Sequence, residues 1–419
     1  MKPRALLGAC AVGAILSGCA STGPVESRPS PTLPPAPGAA LPRPLTEAER
    51  PRPVAPPVVA TTPPPVLPAV PVPAPLGDRE GRTLIARFLP PGIADREGWA
   101  GDLHTAFTAL RLPLTPDFIC AAVAVIEQES SFQADPAVPG LPRIVWGEIE
   151  ARRQRYHVPR MMLDAALLTT SPDGRNYRNR IDALRTEKQM SALYEDMISE
   201  FPQGRTLFAD YNPVRTGGPM QVSIAFAQDQ IRDKPYPYPR RGSVRDEVFS
   251  RRGGVYFGVA ILLDYPAPYS RLLYRFADFN AGRYSSRNAA FQSAVARLSG
   301  QALTPDGDLL RYRDGVPSAE PSATFSALTT LGGHLGLNPA DITRDLRQEK
   351  TAQFAQTPLY TRVFALADGL DGTRRPRELL PQIDLKSPKI QRKLTTAWFA
   401  ERVDSRHRTC LGRDRSFAP

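Results

Sequence analysis

Two carboxylates stand at the end of a long apolar stretch, Ile126-Glu127-Gln128-Glu129-Ser130-Ser131-Phe132. Ahead of it, Thr115-Pro116-Asp117 is a helix start: Thr as N-cap, Pro at the first helical position, Asp in the first turn. On that helix Phe118, Ala122, Val125 and Glu129 share one face, and Ile119, Val123 and Ile126 widen the stripe. Glu127 and Glu129 point about 200° apart, so only Glu129 continues the apolar face. A carboxyl at the end of a buried face is partly desolvated, and desolvation holds its proton toward neutral pH. That is what a general acid acting on a glycosidic oxygen needs. Taken alone, a glutamate at a helix end also reads as a surface or capping residue.

Two later segments bear on the choice. Gly217-Gly218-Pro219-Met220-Gln221-Val222 is a glycine turn leading into a helix. Ala277-Asp278-Phe279-Asn280-Ala281-Gly282 closes an apolar helix, with Gly282 free to take positive φ at the exit and Asn280 able to bond another segment. In this order the three segments resemble the motifs of the family 1 lytic transglycosylases, the soluble type with a lysozyme-like fold. Gln128-Glu129-Ser130-Ser131-Phe132 stands for that family's Q-E-S-x-F, Gly218-Pro219-Met220-Gln221 for G-L-M-Q, and Phe279-Asn280-Ala281-Gly282 for Y-N-A-G. Gly258-Val259-Ala260-Ile261-Leu262-Leu263 is similar to the apolar helix before the third motif. The resemblance covers about residues 115–297.

The resemblance implies one carboxylic acid that protonates the oxygen between N-acetylmuramic acid and N-acetylglucosamine. The same group then serves as base while the muramoyl 6-hydroxyl closes a 1,6-anhydro ring. Glu129 would be that acid and base, with Ser130 beside it. Met220 and Gln221 would line the cleft, and Phe279 and Asn280 would shape the wall facing the acid. No cofactor or metal is implied. Three departures stand out: Phe279 in place of Tyr, Pro219 in place of Leu, and the long gap between Glu129 and Met220, which predicts an insertion over about 133–216.

The elements that must position these residues are helices. From about residue 79 the pattern is helical, with further helices expected at 146–156, 183–200, 221–232, 254–264 and 268–278 and little strand alternation. Ser171-Pro172-Asp173-Gly174, Gly217-Gly218-Pro219 and Tyr265-Pro266 punctuate them. Residues 316–324 read as a boundary, with helices beyond at 325–336, 339–354, 358–369 and 388–402. The expected class is mostly α: a lysozyme-like helical domain over 78–317 and a helical C-terminal extension over 318–419.

The first fifth of the chain cannot build a core. No Phe, Trp or Tyr precedes Phe88, and 19 prolines fall between Pro24 and Pro75. Lys2 and Arg4 followed by apolar Leu6–Leu16 read as a signal peptide, too short to span a bilayer. Leu16-Ser17-Gly18-Cys19 resembles the bacterial lipobox, which implies cleavage after residue 18 and acylation of Cys19. Ala20 after that cysteine, where Asp would signal inner-membrane retention, implies sorting to the outer membrane, the periplasmic face being favoured over the cell surface. Residues 19–77 are then a Pro-rich tether, with some 55 residues at ~3.1 Å each reaching ~170 Å at most. The whole plan also resembles a proteobacterial family of outer-membrane lipoproteins with no assigned function.

Of 419 residues, 53 are Lys or Arg and 42 Asp or Glu, a net charge of +11. The charge suits an anionic envelope polymer as well as a nucleic acid, and the lipobox argues against the latter. Arg240-Arg241 and Arg251-Arg252 read as a solvated face or as contacts for anionic glycan or lipid phosphates. His104, His157, His334 and His407 lack metal-ligand spacing. Past Cys19 only Cys120 and Cys410 remain. A disulfide between them fits an oxidising periplasm, and a buried thiol at 120 with an exposed one at 410 is the alternative.

Three functions stay open. A transglycosylase acting on peptidoglycan predicts an open groove with Glu129 accessible amid apolar surroundings. A non-catalytic module of the same fold, binding peptidoglycan or an envelope partner, predicts a groove plugged by 133–216. A surface receptor or accessory protein for small peptides predicts an exposed apolar patch elsewhere.

Overall fold

A computed structural model describes residues 77–313, 315–385 and 394–414. The signal segment, Cys19 and the tether lie outside the described residues, as does the 388–393 part of the helix expected at 388–402. The described chain is mostly α, and its strands form three antiparallel pairs of two residues each. No helix among the described residues is long and apolar enough to cross a membrane.

The helix Pro116–Glu129 begins as its sequence dictates. Thr115 Oγ1 accepts the N–H of Phe118 at 3.3 Å, and Pro116 fills the first position, where its missing N–H costs nothing. Its burial exceeds a one-sided stripe. Every residue from Ile119 to Ile126 is fully buried, because small Ala121, Ala122 and Ala124 let neighbours close in on all sides. This is the central helix of the first core. Asp78–Phe88 and Arg251–Leu263 pack against it, and Arg96–Ala109 packs on both of those helices.

The expected C-terminal extension divides in two. Helices Ala323–Thr330, Pro339–Leu346 and Pro358–Asp371 build a second core, joined by Phe291 on the long helix Ser285–Ser299. There the Phe291 ring meets Phe354 at 5.1 Å and Tyr360 at 5.8 Å. The last helix, Thr396–Leu411, instead returns to the first core and lies along both the central helix and Leu272–Ala281. A disulfide joins Cys120 to Cys410, with Cα atoms 5.5 Å apart across 290 residues of sequence. Beyond it Arg413 bonds the Phe88 carbonyl at 2.9 Å and the Glu127 carboxylate at 2.8 Å.

Residues 133–216 fold as helices Leu141–Arg155, Arg160–Leu167, Tyr177–Asp182, Glu187–Ser199 and Gly204–Phe208. Val145, Ile149, Leu163, Ile181, Leu193 and Tyr194 join the first core, so this segment, expected as an insertion, is a wall of that core. The helix expected from 221 starts at Ile224, because 221–223 belong to a hairpin. The one expected over 339–354 breaks after Leu346 and resumes as a 3-10 turn at Ala352.

Candidate active site

Glu129 is the last residue of the central helix. The Ser130 N–H and hydroxyl both bond the Ile126 carbonyl at 3.0 Å, closing the helix with the Ser130 side chain buried. Ser131 and Phe132 follow with φ of 49° and 61°, two successive left-handed residues without glycine. Such strain persists only where surrounding contacts over-determine it. Here Phe132 supplies one of them, edge-on to the buried Trp99 at 5.1 Å.

Glu129 as a residue is partly exposed, and among the described residues no hydrogen bond or ion pair reaches its carboxyl. Burial pushes its pKa up to about 7, and the neighbouring charge of Glu187 adds to the rise. Glu187 is the residue that sequence reasoning missed. It opens the helix Glu187–Ser199 inside the insertion, where Thr186 and Gln189 form a capping box. The Thr186 hydroxyl also donates to Asp135 at 3.0 Å, and the Val138 N–H bonds the Arg185 carbonyl at 2.8 Å. These bonds tie the start of that helix to the loop just after Glu129. The capping pattern Thr186-Glu187-Lys188-Gln189 was legible; its docking onto residues 135–138 was not, since nothing local specifies a pairing across 50 residues. Burial also raises the Asp135 carboxyl, opposed by its bond from Thr186.

The second motif is the tip of a hairpin in which Thr216 pairs with Ser223 and Gly217 with Val222. Gly218 has φ of 73°, and a Cβ there would also strike the Val248 carbonyl, so both conformation and space require glycine. Pro219 seats on Gly254 and Met220 on Gly258, one turn apart on the helix Arg251–Leu263. The Pro219 ring thus fits a glycine face. Met220 is fully buried, which corrects the expectation that it lines a cleft: it anchors the hairpin from beneath. Ser130 is likewise a helix-closing residue. Gln221 stays partly exposed, and its Oε1 accepts the Thr216 hydroxyl at 3.2 Å.

The third motif is fixed by the residue before it. Asp278 is fully buried and accepts four bonds, from the Tyr265 and Tyr269 hydroxyls at 3.1 and 2.7 Å and from the Tyr284 and Ser286 N–H groups at 2.8 and 2.7 Å. Gly282 leaves the helix at φ 107°. Phe279 and Asn280 are partly exposed, and Asn280 Oδ1 accepts the Thr396 hydroxyl at 2.8 Å, joining the motif to the last helix. All three motifs sit in the first core, and among the described residues no hydrogen bond or ion pair links one directly to another.

Two cavities open elsewhere. One, of about 420 Å³, lies in the insertion against Trp146. The other, of about 430 Å³, is lined by Asp102, Asp246, Glu247 and the arginines Arg241, Arg251 and Arg252. Of the arginines noted in the sequence, Arg241, Arg251 and Arg252 therefore line a cavity, and two of these are spent on carboxylates: Arg251 on Asp102 and Asp95, Arg252 on Glu247.

A family model described as "Protein of unknown function (DUF1615)" matches residues 92–413. A relative in Escherichia coli (strain K12), "Uncharacterized protein YaiW", is 50% identical over 329 residues, 78% of this chain and 89% of that one. No solved structure matches.

Proposed function

The chain belongs to the DUF1615 family, and on that footing we propose that it is an outer-membrane lipoprotein that cleaves the bond between N-acetylmuramic acid and N-acetylglucosamine in peptidoglycan. The observation that carries the reading is Glu129: partly exposed, without a partner, and protonated near neutral pH because burial raises its pKa to about 7. A carboxyl held so is matched to proton donation at physiological pH. Glu129 gives its proton to the glycosidic oxygen as the bond to C1 breaks. The resulting carboxylate then takes the proton of the muramoyl 6-hydroxyl while that oxygen bonds to C1. The products are a 1,6-anhydro sugar and a free hydroxyl on the leaving sugar, with no water consumed. Glu187, whose charge acts on Glu129, adds to the field that favours the cationic sugar of the transition state. Gln221, Phe279 and Asn280 remain exposed enough to meet the glycan. Acylation of Cys19 and the Pro-rich tether carry the domain from the membrane to its polymer.

A non-catalytic glycan-binding module is the second reading. The burial of Ser130 and Met220 and the bond that occupies Asn280 favour it. Digestion of purified sacculi with the full-length protein in detergent, beside Glu129→Gln, separates the two. The catalytic reading expects 1,6-anhydromuramoyl products by mass spectrometry, reduced at least ~100-fold in the variant. Sacculi that bind both proteins and release nothing from either leave the binding module.

A further inference from the structure

The cavity in the insertion is built differently from the carboxylate site. It lies between the helices Leu141–Arg155, Arg160–Leu167 and Tyr177–Asp182, and its floor is Trp146 with the side chains of Ile149 and Leu163. The indole is fixed: its N–H donates to Asp182 at 2.7 Å, and the Arg178 guanidinium sits 5.6 Å from the ring centre. The rim is charged and already paired. Glu150 takes two bonds from Arg153, at 2.8 and 2.7 Å, and Asp164 lies 3.8 Å from Arg160 and 3.5 Å from Arg178.

That pairing decides the ligand class. The lining holds three carboxylates, Glu150, Asp164 and Asp182, and two guanidiniums, Arg160 and Arg178. Arg153, paired to Glu150 from behind the lining, brings the balance to neutral, so a ligand of net charge gains little Coulomb energy here. A neutral ligand rich in hydroxyl and amide groups gains from every one of them. Planar carboxylates accept from adjacent hydroxyls, guanidiniums donate to ring and acetamido oxygens, and the indole with its aliphatic neighbours covers an apolar C–H face. A pyranose has such a face and such an edge. The volume, about 420 Å³, falls within the ~300–1,000 Å³ common for small-molecule sites. The second cavity is also charge-balanced, but no apolar side chain lines it, so it offers a sugar nothing to stack on.

We propose that this Trp146 cavity is a saccharide-binding site, separate from Glu129, that takes a neutral N-acetylated pyranose unit of an envelope glycan. It rests on the glycan reading above and does not require cleavage. The helix Tyr177–Asp182 packs on both Leu141–Arg155 and Glu187–Ser199, so the cavity and Glu187 share one helical wall. The insertion thus holds a strand with the same segment that completes the carboxylate pair.

The test is calorimetry of full-length Glu129→Gln protein in detergent with the β-1,4-linked N-acetylglucosamine tetramer. Saturable binding is expected, weakened about tenfold or more by Trp146→Phe and by Asp164→Ala, and unchanged by Arg241→Ala in the other cavity. In the same protein, the tetramer should shield Trp146 from oxidation by N-bromosuccinimide, a readout that needs no substitution in the cavity. Binding that survives Trp146→Phe undiminished, binding lost on Arg241→Ala, an unshielded Trp146, or no binding at millimolar tetramer overturns the proposal. So does capture of a cationic peptide in place of the tetramer. If the tetramer binds as expected while wild-type protein releases nothing from sacculi, the cleavage reading fails and this site stands. Release from sacculi with no tetramer binding is the reverse.

Discussion

Glu129 in the first core and Glu349 in the second are both carboxyls that burial pushes up to about 7, and they have nothing else in common. Glu349 is completely buried, and the Tyr312 hydroxyl and the Leu309 N–H both donate to it. It pins the loop after Ser299 onto the second core, alongside Arg287 and Asn288, which hold the Glu349 carbonyl. Glu129 is a partly exposed residue, and its carboxyl has no donor among the described residues. A raised pKa therefore marks a desolvated carboxyl and no more. What separates a structural acid from a candidate catalytic one is whether its lone pairs are spent. Glu349 has spent them on its own fold, whereas those of Glu129 remain for a proton in transit.

Truncation should expose that difference most strongly. Glu349→Ala leaves a buried N–H and hydroxyl without acceptors and opens a small cavity, a loss of ~3 kcal/mol or more. Glu129→Ala removes a desolvated group that bonds nothing, so stability should hold within ~1 kcal/mol or rise. Urea unfolding of the two variants measures both. Equal losses would mean that Glu129 has a structural partner after all and would remove the main support for its catalytic role.

Titration gives a smaller effect of known sign. Both carboxyls keep their protons in the folded state to about 7, against an ordinary 4.5 when unfolded. Below pH 4.5 both states are protonated and the stabilisation is fully present. Between about 4.5 and 7 the unfolded chain ionises first, so stability falls as pH rises, by at most ~1.4 kcal/mol per pH unit for each group. The arginine-paired Glu150 and Asp368, both lowered to about 2, change below this window and do not mask it. Glu129→Gln and Glu349→Gln should each flatten the fall in melting temperature over pH 4.5–7. Only the former should also abolish glycan release; a slope unchanged by either substitution would show that the carboxyl concerned is not desolvated.

How much of this was legible beforehand depends on range. Thr115-Pro116-Asp117 and the nine apolar residues from Phe118 to Ile126 announce the central helix, and Gly282 announces its turn, because caps and positive φ are local facts. The desolvation of Glu129 follows from its place at the end of a buried run. The burial of Met220 was not legible, since it depends on Gly254 and Gly258 offering a bare helix face to the hairpin more than 30 residues earlier. Nor was Glu187, which reaches Glu129 only because the loop at 135–138 docks on Arg185 and Thr186. The last helix was expected in an extension of its own, yet it lies along the central helix, because its partners, Cys120 and Glu127, are nearly 300 residues away.

Glu127 supplies the smallest effect and the closest control. It lies two residues before Glu129 on the same helix, but it faces the other way, and its carboxylate meets Arg413 at 2.8 Å with both side chains partly exposed. An ion pair of that kind contributes about 1 kcal/mol or less, since water already solvates both charges. Arg413 keeps its second bond, to the Phe88 carbonyl, when the pair is lost. Glu127→Gln should therefore cost under ~1 kcal/mol in urea unfolding and leave the release of anhydromuramoyl products unaltered. The substitution makes the same carboxyl-to-amide change as Glu129→Gln, at the same helix end. If it lowered release as far, charge at the helix end would be the cause, and the distinction between a spent and an unspent carboxylate would lose its force.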